Sequence, residues 1–341
     1  TGHETFTLPV EGESRTGHRP EPLVSGKAAR IFTGAELPVG ADTVIAQEDV
    51  ERIGDSIRFV GVPRRGQHVR RAGEDLAKGM TALERGKRLG AADLALLSTL
   101  DVAEVGVAAR PRVTLLATGD ELRPAGTASD DGRIPDALSL PLAVLAGAAG
   151  ARARIAPFVR DDPTATEDAV EAALRGTDLL VTIGGVSVGD HDRVRPALEA
   201  RGVTLDFWKV AIKPGKPLAS GVHEASGTLV LALPGNPASA LITFALFGVP
   251  LLRALQGDAR PLPRAIPLPL AGSYRKKPGR LEFVRVALED GPEGPRARPL
   301  DNQASGALTS LAVADALAMI PAEASEVVEG SLVDIIEFRD S

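Results

Sequence analysis

The sequence predicts an α/β protein with a central, doubly wound and mostly parallel sheet, flanked by a β-rich domain and a small C-terminal β-domain. Two observations carry this prediction. Between residues 112 and 257, short apolar runs alternate with helical stretches, as repeated βα units require. On either side of that region, short apolar runs are separated mainly by Gly, Pro and Asp turns.

Composition limits the classes of function. The chain has 341 residues, enough for more than one domain, and its formal charge of -6 argues against broad binding to nucleic acid or to anionic membranes. No uninterrupted apolar run reaches membrane-spanning length, and the N-terminus lacks a signal-peptide pattern. The chain contains no cysteine. This excludes disulfides and thiolate ligands and fits a cytoplasmic location, which we expect.

Residues 1–85 form the predicted β-rich domain, with strands expected at 28–32, 43–46 and 57–60. This domain contains two polar loops with glycine, Phe-Thr33-Gly-Ala and Arg-Arg-Ala-Gly-Glu-Asp75, which local sequence alone interprets as turns. Residues 86–110 read as a short helix followed by a strand, and Arg110-Pro111 marks a boundary.

Residues 111–258 form the predicted αβ domain. Strands are expected at 113–117, 179–183, 204–212 and 228–233, and helices at 138–148, from Asp162-Pro163, at 193–200 and at 238–255. In the second helix, Thr164 and Glu167 have capping-box spacing. Residues 259–341 form the predicted C-terminal β-domain, with a stiff proline-rich linker at 261–270 and strands at 281–288, 316–320 and 332–338.

Three strands of the αβ domain end in polar turns that contain glycine. These turns are Thr118-Gly-Asp-Glu121, Gly184-Gly185 and Pro234-Gly-Asn236-Pro. In a parallel sheet such turns gather at the carboxyl edge, where α/β proteins bind ligands. After the glycines, Asp190 and Asp192 are suited to a hard cation beside an anion; the alternative is a plain turn into a helix capped by either aspartate.

Three of the eight lysines, Lys209, Lys213 and Lys216, lie within eight residues. Ammonium groups on a loop stiffened by proline and glycine favour contacts with a phosphate or other oxyanion, although a solvated basic loop is the alternative. The five histidines show no metal-ligand spacing, and Walker A and G-x-G-x-x-G motifs are absent. The acidic cluster, the lysine cluster and the glycine turns are suited to Mg²⁺-assisted binding and reaction of phosphates or other oxyanions.

Five motifs in consistent order make the chain similar to the molybdopterin molybdenumtransferase family, the molybdenum insertases of the MoeA and gephyrin E-domain type. They are Phe32-Thr-Gly-Ala-Glu-Leu-Pro-Val-Gly-Ala-Asp42, Ala117-Thr-Gly-Asp-Glu-Leu122, Thr182-Ile-Gly-Gly-Val-Ser-Val-Gly-Asp-His-Asp192, Lys209-Val-Ala-Ile-Lys-Pro-Gly-Lys-Pro217 and Leu233-Pro-Gly-Asn-Pro-Ala-Ser239.

The resemblance implies Mg²⁺-dependent insertion of molybdate into adenylylated molybdopterin, which yields molybdenum cofactor and AMP. It also implies a molybdopterin-binding type of αβ domain, a barrel-like C-terminal domain, a homodimer, and transient contact with other proteins of cofactor biosynthesis. Residues 86–110 would belong to an elongated dimerisation domain whose N-terminal portion, with an Asp-Gly-Tyr-Ala type loop, this chain does not contain. The alternatives are a related molybdopterin adenylyltransferase and a non-catalytic molybdopterin-binding scaffold.

The resemblance also assigns roles to residues. Asp190, Asp192 and Glu121 would hold Mg²⁺ near the phosphates, while Lys213 and Lys216 would hold molybdate or phosphate oxygens. The predicted substrate-binding residues are Lys209, Gly184, Gly185, Ser187, Pro234, Asn236, Ser239, Thr33, Asp75, Asp136, Arg285 and Ser305. Where the family has an Asp-Ser-Asn-Ser type segment, this chain reads Pro135-Asp-Ala-Leu-Ser139, so we expect altered ligand recognition there.

Overall fold

A computed structural model describes residues 4–128, 132–185 and 193–338. The chain divides into two units, an N-terminal unit at Thr1–Ala82 and a C-terminal unit at Leu83–Ser341. The N-terminal unit is a four-stranded sheet of order β2-β1-β4-β3, formed by β1 (Thr5–Ser14), β2 (Ala28–Ile31), β3 (Glu51–Ile53) and β4 (Ser56–Val60). Phe6 stacks on the buried Phe59 ring at a centroid distance of 5.5 Å.

The C-terminal unit begins with helix α1 and the six-stranded sheet of the αβ region. Its helices are α1 (Ala91–Thr99), α2 (Ser139–Ala148), α3 (Pro163–Leu174), α4 (Val194–Ala200), α5 (Pro237–Thr243), α6 (Val249–Leu255) and α7 (Leu308–Val313). The strands up to residue 233 are β5 (Arg112–Ala117), β6 (Leu122–Arg123), β7 (Ile134–Pro135), β8 (Arg152–Ile155), β9 (Leu179–Ile183), β10 (Val203–Trp208), β11 (Ile212–Lys213), β12 (Ala219–His223) and β13 (Thr228–Leu233).

This sheet has the order β10-β12-β13-β9-β5-β8. Strands β13, β9, β5 and β8 are parallel, and β10 and β12 form an antiparallel edge. Helices cover both faces: Val181 packs in the core cluster that includes α2, α5 and α6, whereas Leu180 packs in the cluster of α3 and α4. A strand buried on both faces needs a continuous apolar run, which explains Leu-Leu-Val-Thr-Ile in β9.

The longest helix runs through α5, a π-helical turn at Phe244–Gly248, and α6. Pro237–Leu255 has 19 residues and a mean hydropathy of 1.8, enough to cross a membrane by length and composition. However, 61% of that stretch is buried inside the protein. Its apolar character is therefore accounted for by the core, where Phe244 and Leu252 are fully buried.

The remaining strands lie in the C-terminal β-region. They are β14 (Ala265–Pro269), β15 (Tyr274–Arg275), β16 (Leu281–Gly291), β17 (Gly294–Pro299), β18 (Ala316–Ile320), β19 (Glu326–Val327) and β20 (Leu332–Glu337). The C-terminal sheet has the order β11-β16-β18-β20-β14, with β17 also paired to β16, whereas β15 and β19 form a separate two-stranded sheet. Ala271 N donates to Ala297 O at 2.8 Å, so the chain just beyond β14 contacts β17, and the sheet is barrel-like although β14 itself remains an edge strand.

The structure corrects two expected strands. No strand forms at 43–46, where Val44 N instead donates to Gln67 O, a loop carbonyl, at 3.0 Å. After α1, residues 102–110 are not paired with any strand of the described chain, although Val102, Val105 and Val107 have strand-forming side chains. A strand needs a neighbour for its backbone groups, and local composition does not supply one.

Three further expectations are corrected. The strand expected at 204–212 ends at Trp208, and Ile212 and Lys213 instead pair in parallel with β16. The cap of α3 is Asp162, whose carboxylate accepts from Ala165 N at 2.7 Å, so the Thr164 and Glu167 capping box was wrong. The 261–270 linker contains strand β14, which tolerates its prolines because β14 is an edge strand, paired only with β20 within the sheet.

Candidate active site

The three polar turns lie side by side at the carboxyl edge of the sheet. They follow the adjacent parallel strands β5, β9 and β13. Hydrogen bonds link them directly: Thr118 N donates to Ile183 O, and Gly184 N donates to Leu233 O, both at 3.1 Å. The edge is therefore a continuous row of backbone turns.

Gly184 and Gly185 allow this close approach. Both have left-handed φ angles, +84° at Gly184 and +61° at Gly185, which side chains disfavour. A Cβ on Gly184 would lie 3.1 Å from Thr118 O, and one on Gly185 would collide with the buried Val194. These positions require glycine for space as well as for backbone conformation.

Two buried threonine hydroxyl groups lie next to these turns. The Oγ1 atoms of Thr118 and Thr182 make no hydrogen bond within the described chain, and both residues are at most 5% exposed. Leaving a buried hydroxyl unpaired costs about 1–3 kcal/mol, so a bound polar ligand that pairs with it gains free energy. Sequence reasoning did not single out these two hydroxyls, because threonine is common in strands.

The segment at 135–139 begins helix α2. Asp136 Oδ1 accepts from Leu138 N at 2.9 Å and from Ser139 N at 3.1 Å, so its carboxylate pairs with the N-H groups that lead into the helix. Leu138 is 5% exposed and packs in the core, which explains an apolar residue at this position. Ser139 Oγ is buried and has no partner within the described residues. Ser139 thus presents a buried hydroxyl that is unpaired in the part of the chain that the structure describes.

The acidic residues are only partly described. Glu121 is exposed, and its carboxylate folds back over Gly119 at the end of β5. Ser187, Asp190 and Asp192 lie outside the described residues, so their roles stay predictions. Among the described residues, no group of three His, Asp or Glu side chains gathers to hold a metal ion. Glu121 supplies one carboxylate, the ligand type that Mg²⁺ prefers.

The lysine loop, residues 209–217, leaves the sheet at the same edge. Strand β10 is antiparallel to β12, as is β13, so the end of β10 lies at the carboxyl edge of β13. Gly215 packs against Thr243 on α5, which fixes the loop to the helix that follows the Pro234 turn. Lys209 has a left-handed φ of +77°, and its Nζ lies 4.2 Å from the centroid of the Trp208 ring.

Lys213 is anchored by the C-terminal sheet. Its Nζ lies 3.2 Å from Glu282 Oε2, and the hydroxyl of Tyr274 donates to the same oxygen at 3.1 Å. Burial and the Glu282 charge raise the pKa of Tyr274 to about 12. Lys216, by contrast, is exposed and makes no ion pair within the described chain. The two lysines predicted to bind oxyanions therefore differ in how firmly they are held.

Glu282 and Tyr274 were not predicted as site residues. A signal was present for Glu282, because a carboxylate inside the apolar run of β16 must find a partner when buried. Nothing in the local sequence identifies Lys213 as that partner. The pairing arises when β11 of the αβ region joins the C-terminal sheet.

The turn after β13 leads into a helix whose first N-H groups bond to the loop that carries Ser305. Pro234 is buried, Asn236 is exposed before the first turn of α5, and Ser239 is 4% exposed within that turn. The carbonyl oxygen of Ser305 accepts from the N-H groups of Ala238 at 3.0 Å and of Ser239 at 3.3 Å. Loop 303–307 is thereby fixed to the start of α5.

Arg285 supports that loop from beneath. Its side chain is 1% exposed, and burial lowers its pKa below the usual value. The guanidinium donates to Ala304 O at 3.0 Å, Ala307 O at 3.1 Å and Gln303 Oε1 at 3.3 Å. The structure thus shows Arg285 shaping the loop that carries Ser305, while its predicted ligand contact stays a prediction.

Thr33 and Asp75 are exposed residues of the N-terminal unit. Asp75 follows a turn in which Arg71 N donates to Glu74 Oε2 at 2.9 Å. The predicted contacts of Thr33 and Asp75 with ligand stay predictions.

A doubly wound sheet with glycine turns, buried hydroxyls and a lysine loop at its carboxyl edge is typical of α/β proteins that bind anionic ligands. Three family models match the chain. They are described as the MoeA N-terminal region (domain I and II) at residues 2–100, a probable molybdopterin binding domain at 114–254, and the MoeA C-terminal region (domain IV) at 267–338.

Individual proteins agree with these models. A molybdopterin molybdenumtransferase of Haemophilus influenzae is 39% identical over 285 residues, which cover 83% of this chain and 70% of that protein. One from Synechococcus elongatus is 35% identical, covering 96% and 81%. A crystal structure of a molybdopterin biosynthesis moeA protein from Pyrococcus horikoshii has a TM-score of 0.83 at 27% identity, covering 98% of this chain and 82% of that one. The chain belongs to the molybdopterin molybdenumtransferase family, a family of enzymes in molybdenum cofactor biosynthesis.

Proposed function

We propose that this protein inserts molybdenum from molybdate into adenylylated molybdopterin and releases AMP in a Mg²⁺-dependent reaction. The observation that carries the proposal is the meeting of three glycine-containing turns and the lysine loop at one edge of the sheet. Backbone N-H groups at such turns suit the phosphates of the substrate. The lysines suit the oxygens of molybdate, because ammonium groups act as point charges.

Each group has a defined part in the proposed reaction. Lys213 and Lys216 bind the molybdate oxygens, and the buried Thr118 and Ser139 hydroxyls supply polar contacts to the molybdopterin substrate. Glu121, with Asp190 and Asp192, would hold Mg²⁺, which would stabilise negative charge that develops as the phosphoanhydride is cleaved. The fixed turns hold their donors in place before the reaction, so little reorganisation is needed.

The test is a turnover assay with purified protein, adenylylated molybdopterin, molybdate and Mg²⁺. We expect AMP and molybdenum cofactor, measured by reconstitution of a cofactor-free molybdoenzyme. Lys213→Ala and Asp192→Asn should each abolish turnover with the fold retained. Lys277→Ala is the matched control, since Lys277 is an exposed lysine outside the loop. Full activity in both site variants would refute the assignment.

The same assay separates the alternatives. An adenylyltransferase would instead join molybdopterin to ATP, and a scaffold would bind the substrate without forming AMP. Omitting molybdate tests whether metal arrival and AMP release are coupled. AMP release that is equally fast without molybdate would contradict coupling.

We also propose a homodimer. The unpaired segment after α1 exposes Val102 by 41%, Val105 by 47% and Val107 by 72%. An extended, apolar segment without a strand partner is a typical site of association. A second copy of the chain supplies such a partner through a two-fold interface. Cytoplasmic location and transient contacts with other cofactor-biosynthesis proteins stay predictions.

A further inference from the structure

Glu282 is a buried carboxylate in the middle of the C-terminal sheet. It is 4% exposed, and its Oε2 atom contacts Lys213 Nζ and the Tyr274 hydroxyl. Burying a carboxylate is costly unless charge and hydrogen bonds compensate it. Its position therefore depends on the lysine that we assign to the oxyanion.

Strand pairing fixes the geometry of this contact. Lys213 and Glu282 are direct partners in the parallel pairing of β11 with β16. On its other side Glu282 pairs with Ile320 of β18, so its backbone is held within the sheet. The Glu282 backbone is therefore fixed within the sheet, whereas Lys213 lies on a two-residue strand in the middle of the lysine loop.

This arrangement suits the orientation of an ammonium group. A lysine ammonium has three N-H donors, so one contact with Glu282 leaves two for a ligand. The side chain of Lys213 is 41% exposed, so the ammonium is accessible while it is paired. A free lysine must be ordered when it binds, and an already anchored lysine avoids part of that cost.

We infer that Glu282, together with Tyr274, is a positioning residue that holds the Lys213 ammonium for the oxyanion substrate. The inference rests on the proposed function, in which Lys213 binds molybdate. The C-terminal β-domain then contributes to the site through its contact with Lys213.

The test compares Glu282→Gln with Glu289→Gln. Gln keeps the size of the side chain and removes its charge. Glu289 is the matched control because it lies on the same strand and pairs with Arg298, away from Lys213. We expect the molybdate KM of Glu282→Gln to rise about three- to tenfold, the range set by ordering one long side chain. The KM for adenylylated molybdopterin should stay within about twofold, and Glu289→Gln should match wild type.

A second measurement does not depend on turnover. Titration calorimetry with molybdate alone should show the same three- to tenfold weakening in Glu282→Gln, and a smaller weakening in Tyr274→Phe. In a Lys213→Met background, Glu282→Gln should change molybdate affinity no further, because the positioned group is gone. A merely structural role would instead lower thermal stability and affect both substrates, in either background.

The outcomes are distinct. Molybdate affinity in Glu282→Gln that equals or exceeds that of wild type overturns the inference, since Glu282 would then be neutral or would compete with the substrate. Absence of saturable molybdate binding by the wild type overturns it as well. If the wild type binds molybdate, shows the Glu282 dependence and forms no cofactor, the proposed function fails and the positioning role stands. If Glu282→Gln does not fold, the molybdate affinity of Tyr274→Phe tests the inference instead. An affinity equal to that of wild type overturns the inference, and a weakened affinity supports it.

Discussion

Replacing the buried Arg285 tests whether one guanidinium holds loop 303–307 in place. Arg285→Met keeps a long unbranched side chain in the same space but removes the three guanidinium nitrogen atoms that donate hydrogen bonds. The bonds lost are those to Gln303 Oε1 and to the carbonyl oxygens of Ala304 and Ala307.

The expected loss of unfolding free energy depends on whether each acceptor finds another partner. Hydrogen bonds with a charged partner contribute about 1.5–3 kcal/mol each, and removing a buried charge recovers part of that as desolvation. Ala304 is exposed, so water replaces its lost partner, and Ala307 O still accepts from Ser310 Oγ at 3.2 Å. We therefore expect a net loss of about 2–3 kcal/mol in the free energy of unfolding.

Thermal unfolding followed by circular dichroism measures this loss. For a domain of this size, 1 kcal/mol shifts Tm by about 2–4 °C, so Arg285→Met should melt roughly 4–12 °C lower. Arg298→Met is the control, because Arg298 is an exposed arginine paired with Glu289 and should contribute about 0–1 kcal/mol. A Tm for Arg285→Met within about 2 °C of wild type would refute the reasoning.

Three further predictions concern other parts of the molecule. Gly185→Ala should lower the free energy of unfolding by about 2–4 kcal/mol and lower turnover, because a Cβ there meets the core residue Val194 at a left-handed φ. Gly147→Ala is the comparison in thermal melts, and it should not destabilise the protein because open space surrounds this helical position. Burial and Glu282 raise the pKa of Tyr274 to about 12, above its ordinary value of 10.0, so its share of stability is complete below pH 10 and is lost toward pH 12. After allowance for its partial exposure this amounts to about 1 kcal/mol, and Tyr274→Phe should show a correspondingly flatter decline in chemical denaturation between pH 10 and 12. Val107→Asp should shift the proposed dimer toward monomer in light scattering, and an unchanged mass would contradict the assignment of that segment to the interface.

The sequence predicted the central sheet well where the strands are buried on both faces. Both β9 and β13 were predicted at their observed bounds, because apolar runs of five or six residues end at glycine or proline turns. Strand β12 was missed, since Ala-Ser-Gly-Val-His has neither alternation nor an apolar run. Its strand conformation comes from pairing with β10 and β13 on either side.

The β14 strand and the segment at 102–110 show two ways in which local sequence fails to predict a strand. Prolines in 261–270 suggested a linker, yet β20 provides a neighbour for β14. Valines in 102–110 suggested a strand, yet no described strand lies beside them. Local sequence encodes the capacity to extend, whereas the presence of a partner strand depends on the rest of the fold.

The sequence by itself determined which groups are available at the site: glycines at three strand ends, three lysines in a stiff loop, and the motifs that indicate the family. Only the tertiary structure decided how those groups are held. It buried Arg285 beneath loop 303–307, turned Leu138 into the core, and joined Lys213 to Glu282 across 69 positions of sequence. Residue types and short-range spacing are local properties that the sequence states directly. Which buried charge meets which partner depends on the pairing of distant strands, and that exists only in the folded chain.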